Sequence, residues 1–111
     1  MKTKTNGYTT KLPRAYTDRT KRIIDAVVEE YNFKNEREMW KSPRTPHNCS
    51  ARWIVWHYMR EMGMPFEMIS GYTGHSHGTV MHGIDRLKSD LELRSNEMLR
   101  TIYKNIKATL A

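Results

Sequence analysis

The chain has 111 residues, carries a formal net charge of +7 at pH 7, and is 38% hydrophobic and 28% charged. This length is enough for one domain, and no apolar run is long enough for a membrane span or a secretory signal peptide. The only cysteine, Cys49, excludes an intramolecular disulfide and favours a reducing, cytoplasmic setting.

Positive charge is concentrated at the start of the sequence. Residues 1–22 contain seven Lys or Arg and one acid, whereas residues 23–63 contain six of each and residues 64–111 contain six basic and five acidic residues. Residues 1–16 also lack helical periodicity, so the sequence predicts a flexible basic arm over 1–16 and one helical domain over 17–111. Such an arm suits a polyanion, most simply a nucleic-acid backbone, although a solubilising tail also explains it.

Apolar periodicity predicts helices along the whole domain, and no alternating run indicates a strand. Thr17 or Asp18 can cap a first helix, and a short helix with Met39 and Trp40 inward is predicted over 36–40. Pro43 and Pro46 predict a loop over 41–48. The first helix should bury a face made of Ile24, Val27, Val28 and Tyr31.

A long helix follows the loop, with Asn48 or Ser50 as its cap. Its apolar stripe consists of Ala51, Ile54, Val55, Tyr58, Met59 and Met62. Trp53 and Trp56 lie outside that stripe, which predicts contact on a second side. A last helix, capped by Ser95, should present Met98, Ile102, Ile106 and Leu110 either to the bundle or to a dimer partner.

Residues 64–86 predict a short helix, a tight turn and a second, longer helix. Gly63 ends the preceding helix, Gly71 and Gly74 bracket the turn, and Ser76 can cap the second helix. Its buried face consists of Val80, Ile84, Leu87 and Leu91, and its polar face of Thr79, His82, Gly83 and Arg86. A helix–turn–helix with such a polar face fits the DNA major groove, and a plain helical hairpin with a solvated face is the alternative.

The run Tyr-Thr-Gly-His-Ser-His-Gly-Thr-Val-Met-His-Gly over residues 72–83 resembles the signature of the C-terminal DNA-binding domain of the bacterial replication initiator DnaA. That signature is typically aromatic-Gly-Gly-Arg-Asp-His-Thr-Thr-Val-Leu-His-Ala. The matching positions are Gly74, His77, Thr79, Val80 and His82, and residues 51–62 also resemble a helix of the family. The departures are His75 for Arg, Ser76 for Asp and Gly78 for Thr, and they affect target choice more than fold.

The resemblance implies an all-α, Trp-repressor-like domain that binds double-stranded DNA, with a nucleoid-associated location and a role in replication initiation or its regulation. It implies base contacts by His75, His77, Gly78, Thr79 and His82. It implies contacts with the backbone or minor groove by Lys41, Arg44, Arg52, Arg60, Ser76 and Arg86.

The sequence gives no support for catalysis or a cofactor. No Gly-x-x-x-x-Gly-Lys-Ser/Thr run occurs, and the histidines lack the spacing of a zinc site, so we expect no enzyme activity, metal or small-molecule substrate. Three alternatives stay open: a protein-interaction module on the same fold, a ligand-gated repressor, and a role in transcription or a mobile element. A homo-oligomer or a replication-protein partner is also compatible with the sequence.

Overall fold

The computed structural model describes residues 12–111, and all regular structure within that range is helical, which confirms the all-α prediction. The helices are α1 (Arg14–Tyr31), α2 (Glu36–Lys41), α3 (Pro46–Glu61), α4 (Phe66–Thr73), α5 (His77–Glu92) and α6 (Glu97–Leu110). None of the helices in residues 12–111 combines the length and the apolar character needed to cross a bilayer.

Helix α1 begins earlier than the sequence predicted. Pro13 is its N-cap residue, with φ −57° and ψ 148°, and the carbonyl of Pro13 accepts hydrogen bonds from the Tyr16 N–H and the Thr17 hydroxyl. The prediction that Thr17 or Asp18 caps this helix is therefore wrong, because a proline before the first turn fixes a suitable backbone without a side-chain cap. Of the predicted basic arm, residues 14–16 are helical, and residues 1–11 lie outside the described residues.

The link between α2 and α3 is shorter than predicted. Thr45 is the N-cap of α3, where its hydroxyl oxygen accepts the Asn48 N–H at 3.2 Å, and Pro46 occupies the first helical position. Asn48 and Ser50, the two predicted caps, both lie inside α3. Proline is favoured at the first helical position because no intrahelical partner awaits its missing N–H, so Pro46 starts the helix instead of preventing it.

Helix α3 is the centre of the bundle, because four other helices, α1, α2, α4 and α5, pack against it. The predicted second contact side of α3 is confirmed by Trp56, which is 2% exposed, and by the half-buried Trp53. Side chains of α3 that are fully or almost fully buried are Ala51, Ile54, Val55, Trp56 and Met59.

Helix α6 packs back onto α1 and α5, so the predicted return to the bundle is confirmed. Leu99 and Ile106 are buried, whereas Met98 is 69% exposed and does not join the apolar face as predicted. Each helical residue turns by about 100°, so a stripe read in steps of four drifts by about 40° per step. Met98 is the first residue of the predicted stripe, and the drift places it outside the surface of α6 that packs on α1 and α5.

Candidate nucleic-acid interface

Helices α4 and α5 form a helix–turn–helix whose turn is fixed by local hydrogen bonds. Gly74 has a left-handed φ of 77°, and its N–H donates to the Ser70 carbonyl at 2.9 Å. Gly71, predicted to bracket the turn, lies inside α4. Ser76 caps α5 as predicted, since its hydroxyl oxygen accepts the Thr79 N–H at 3.2 Å. Such a cap contributes about 1 kcal/mol and defines where α5 starts.

The exposed surface of the first part of α5, residues 77–86, is polar apart from Met81 and carries one acid, Asp85. Thr79 accepts a hydrogen bond from the Ser76 hydroxyl at 2.9 Å between the two side-chain oxygens. The Thr79 hydroxyl therefore keeps its own proton for an outside acceptor, and the residue is exposed. The exposed residues of this surface are His77, Gly78, Thr79, Met81, His82, Asp85 and Arg86.

Gly83 was predicted on the polar face of α5, and that prediction is wrong. It is buried, and a Cβ built there would lie 2.5 Å from Cδ1 of Trp53 and 2.7 Å from Cζ3 of Trp56. Glycine at this position lets α5 approach α3 closely enough for the two indole rings to lie against its backbone. The close packing of α5 on α3 therefore depends on the absence of a side chain at residue 83.

A groove of about 450 Å³ lies between α5 and the link from α2 to α3. Six of the predicted contact residues line it, although they come from four separate parts of the chain: Lys41, Arg44, Arg52, His75, Thr79 and His82. The other lining residues are Trp40, Ser42, Cys49, Trp53 and Trp56.

Lys41 and Arg44 supply exposed positive charge at this groove. Both side chains are exposed, and neither forms an ion pair with an acid among residues 12–111. Their ammonium and guanidinium groups therefore keep their charge available for an anion at the groove.

Arg52 was predicted on the outer, polar side of α3, and the structure corrects this. The residue is 6% exposed, and its guanidinium donates to the Met39 carbonyl at 3.3 Å and to the Ser42 carbonyl at 2.6 Å. It also donates to the Ser42 hydroxyl at 3.0 Å. These acceptors lie at the C-terminal end of α2, where carbonyls lack helical partners and a cation is favoured. Arg52 thus holds the link between α2 and α3 in place.

His75 is packed into the aromatic wall of the groove. Its ring centroid lies 5.7 Å from that of Trp40 and 5.1 Å from that of Trp56, the latter edge-on. Its Nδ1–H donates to the Thr73 carbonyl at 3.0 Å, which leaves Nε2 as an acceptor. Burial lowers the pKa of His75, and the charges of Arg52 and Arg44 lower it further, whereas the Thr73 carbonyl raises it. The imidazole is therefore neutral at pH 7.

Two other predicted cations lie outside the groove lining. Arg60 donates to the Met64 carbonyl at 2.9 Å and stands 4.2 Å over the Phe66 ring, on the opposite flank of α5 beside Met81. Arg86 pairs with Asp90 at 3.1 Å and lies 5.4 Å from the centroid of Trp53. Arg60 and Arg86 are both exposed, but each already has a partner within the protein.

Three tryptophans form one wall of the groove, which helical periodicity did not predict. Trp40, Trp53 and Trp56 were assigned to the core, yet all three also line the groove. The positions of Trp53 and Trp56 outside the main stripe of α3 were the available signal. Among residues 12–111, no three His, Cys, Asp or Glu side chains come together as metal ligands would.

Comparisons with protein-family models, with curated proteins and with solved structures find no match for this chain.

Proposed function

We propose that this chain binds double-stranded DNA through the α4–α5 helix–turn–helix, with α5 in the major groove and the link between α2 and α3 against the backbone or an adjacent minor groove. The observation that carries the proposal is the shared groove. Residues singled out from the sequence for DNA contact, far apart in the chain, line one groove, and no acid among residues 12–111 pairs with its two exposed cations, Lys41 and Arg44. The resemblance to the replication initiator favours a role in replication initiation or its regulation.

Within this proposal, Thr79 reads a base and the cations hold phosphates. The Thr79 methyl group can contact a thymine methyl, and its free hydroxyl proton can donate to a base acceptor. The exposed imidazoles of His77 and His82 lie on the same helix, and Lys41 and Arg44 flank it. Phosphate contacts position a duplex, whereas base-edge contacts select its sequence.

His75 leads us to expect a target that differs from the initiator's usual site. The resembling family has an arginine at this position, which offers a charged, planar fork for guanine. Here a neutral imidazole packs against Trp40 and Trp56 and offers one acceptor nitrogen. We therefore expect selection from random duplexes to yield a site that lacks the guanine read by that arginine.

The first test is binding of the whole chain to the selected duplex and to a scrambled duplex at near-physiological salt. A preference of tenfold or more, about 1.4 kcal/mol, supports sequence-specific recognition. Thr79→Ala should lose about 1–3 kcal/mol on the selected duplex alone. Thr79→Ser keeps the hydroxyl, so it separates loss of the methyl contact from loss of the hydrogen bond. Equal losses on both duplexes would contradict base reading by Thr79.

The second test concerns the backbone contact. Arg44→Gln should weaken binding to both duplexes equally and reduce the slope of log affinity against log salt by about 0.9 if Arg44 neutralises one phosphate. Lys34→Gln, an exposed cation outside the groove lining, is the matched control. An unchanged slope in Arg44→Gln would contradict a phosphate contact by Arg44 in the link between α2 and α3.

A protein-interaction module is the second candidate, and one observation favours it. Met81, on the outer surface of α5, is 47% exposed, and a large apolar side chain there suits a protein partner better than a phosphate backbone. In that case no duplex would be selected, and substitutions at Thr79 would leave DNA binding unchanged.

A further inference from the structure

The groove between α5 and the link from α2 to α3 has an aromatic wall that is accessible from outside. Trp40, Trp53 and His75 line the groove, and each of these side chains is half-buried, so part of each ring stays uncovered. Trp56 also lines the groove but is 2% exposed, and its ring centroid lies 6.2 Å from that of Trp40. Accessible aromatic surface is therefore present at the groove, and a buried indole supports it.

Trp40 and His75 are fixed by hydrogen bonds as well as by packing. The Trp40 indole N–H donates to a Glu36 carboxylate oxygen at 2.9 Å, and the His75 Nδ1–H donates to the Thr73 carbonyl at 3.0 Å. The centroids of the Trp40 and His75 rings lie 5.7 Å apart. Because these rings are already held in place, a ligand that stacks on them would lose little affinity to the ordering of side chains.

Two cations adjoin the aromatic wall. Lys41 follows Trp40 directly in the sequence, and Lys41 and Arg44 both line the groove with exposed side chains. The charge of Arg44 lies close enough to His75 to lower the pKa of that imidazole. None of the described residues that line the groove is acidic. Proteins hold unpaired nucleotides with aromatic rings beside cations, because the rings stack on bases and the cations contact phosphates.

Fully paired DNA would leave the aromatic wall without a partner. In a duplex both faces of a base are covered by its neighbours in the stack, so a protein meets phosphates, sugars and base edges. Phosphates can bind Lys41 and Arg44, but they do not match apolar ring surface. A base that has left the stack offers an open face to the rings and a free Watson–Crick edge, from which an N–H group can donate to Nε2 of His75.

We propose that the groove binds one nucleobase that has left the DNA stack, while Lys41 and Arg44 hold the phosphates beside it. The inference rests on the proposed function, because Thr79 and His82 of α5 line the same groove and a strand read by α5 would pass beside it. The groove volume of about 450 Å³ lies within the range of roughly 300–1,000 Å³ found for ligand pockets. Taking a base out of a duplex costs free energy, and the cost is least where the base has no pairing partner.

The experiment compares three duplexes that carry the selected site, at near-physiological salt. The first is fully paired, the second carries one extra, unpaired thymidine, and the third carries an abasic nucleotide at the same step, with every step of the site tested in turn. The abasic duplex has the same charge and the same interruption as the second but lacks the base. At one step or more, we expect the unpaired base to improve the affinity of the whole chain by about 5–150-fold over the abasic duplex, which corresponds to one base–aromatic stack.

Two further measurements locate the base. With 5-iodouracil as the unpaired base, ultraviolet light should cross-link it to a peptide that contains Trp40, Trp53 or His75. Trp40→Leu should also remove most of the ratio between the two affinities, whereas the matched control Phe33→Leu, a half-buried aromatic outside the groove lining, should keep it. Urea unfolding shows whether both variants are folded, and the cross-link decides alone if Trp40→Leu is not.

Equal affinity for the unpaired base and the abasic nucleotide at every step would overturn the inference and leave the proposed function standing. Cross-links confined to residues outside the groove lining would overturn the inference as well. The proposed function fails separately if a single strand of the selected sequence binds as tightly as the duplex with the unpaired base. In that case α5 would need no major groove, and the groove would still be a site for an unpaired base.

Discussion

Two glycines of α5 lie on different flanks of the helix, and only one of the two positions requires glycine. Gly83 lies on the buried flank, where a Cβ would come within 2.5–2.8 Å of two indole rings, whereas a Cβ at Gly78 would have no atom within 4 Å. The same residue type is therefore required at one position and replaceable at the other. Because the required contacts and the proposed DNA contacts lie on different flanks, substitutions can change the stability of α5 and its outer chemistry separately.

The strongest test of this comparison is Gly83→Ala. Overpacking a tight interface costs about 1–3 kcal/mol, and alanine returns only about 1 kcal/mol of helix propensity. We therefore expect a net loss of stability, measured as a lower urea midpoint. An unchanged or higher midpoint would show that Trp53 and Trp56 can move aside and that the two flanks are less distinct.

A second test compares a buried arginine with an exposed one. Arg52→Met removes the donors to Met39 and Ser42; the Met39 carbonyl keeps its hydrogen bond from the Ser42 hydroxyl, but the Ser42 carbonyl loses the arginine donor, and a buried carbonyl left unsatisfied costs about 1–3 kcal/mol. Arg44→Met, at the exposed side of the same groove, should change stability by less than about 0.5 kcal/mol. Urea unfolding of both variants measures the difference. Equal effects would mean that the Arg52 contacts do not stabilise the fold.

A third test concerns the flank of α5 that carries Gly78. Gly78→Ala should raise the free energy of unfolding by about 0.5–1 kcal/mol, because alanine restricts the unfolded chain and meets no neighbour in the folded one. Thermal or urea unfolding checks the gain. Destabilisation by this variant would contradict the open surroundings of Gly78.

The smallest expected effect is a dependence of stability on pH. Burial lowers the pKa of both His75 and His57 below the ordinary value of 6.5, so the unfolded chain binds more protons than the folded one as pH falls through 6.5. The free energy of unfolding should therefore decrease from pH 7 downward and level off below the folded-state pKa values. His75→Gln should make this decrease shallower, and His57→Gln/His75→Gln shallower still. A slope unchanged in the double variant would contradict the prediction.

Local signals in the sequence were sufficient for the presence of the helices and for the start of α5, although not for the starts of α1 and α3. Ser76 as cap, Gly74 in the turn and the buried stripe of Val80, Ile84 and Leu87 follow from rules that involve only neighbouring residues. These features of α5 could be predicted because its cap and its periodicity involve only neighbouring residues, whereas α1 and α3 begin at a proline and just before one, which the search for side-chain caps passed over.

Gly83 and Arg52 could not be placed in the same way. Periodicity assigns residues to a common face but does not say how much of the helix circumference a neighbour covers. The wide tryptophan side chains of α3 extend the covered sector of α5 to Gly83. Periodicity placed Arg52 on the polar surface of α3, whereas in the structure its guanidinium donates to three acceptors at the end of α2. Both errors arise from contacts between segments distant in sequence.

The anchoring of the α2–α3 link by Arg52 affects how much conformational entropy the chain would lose when a ligand binds. Because Arg52 belongs to α3, which also packs against α5, the link and α5 are tied to the same rigid element. A ligand that contacts both would find its two sets of partners already at a fixed spacing. Little backbone freedom near Ser42 would then be lost on binding, so more of the contact energy would be retained as affinity.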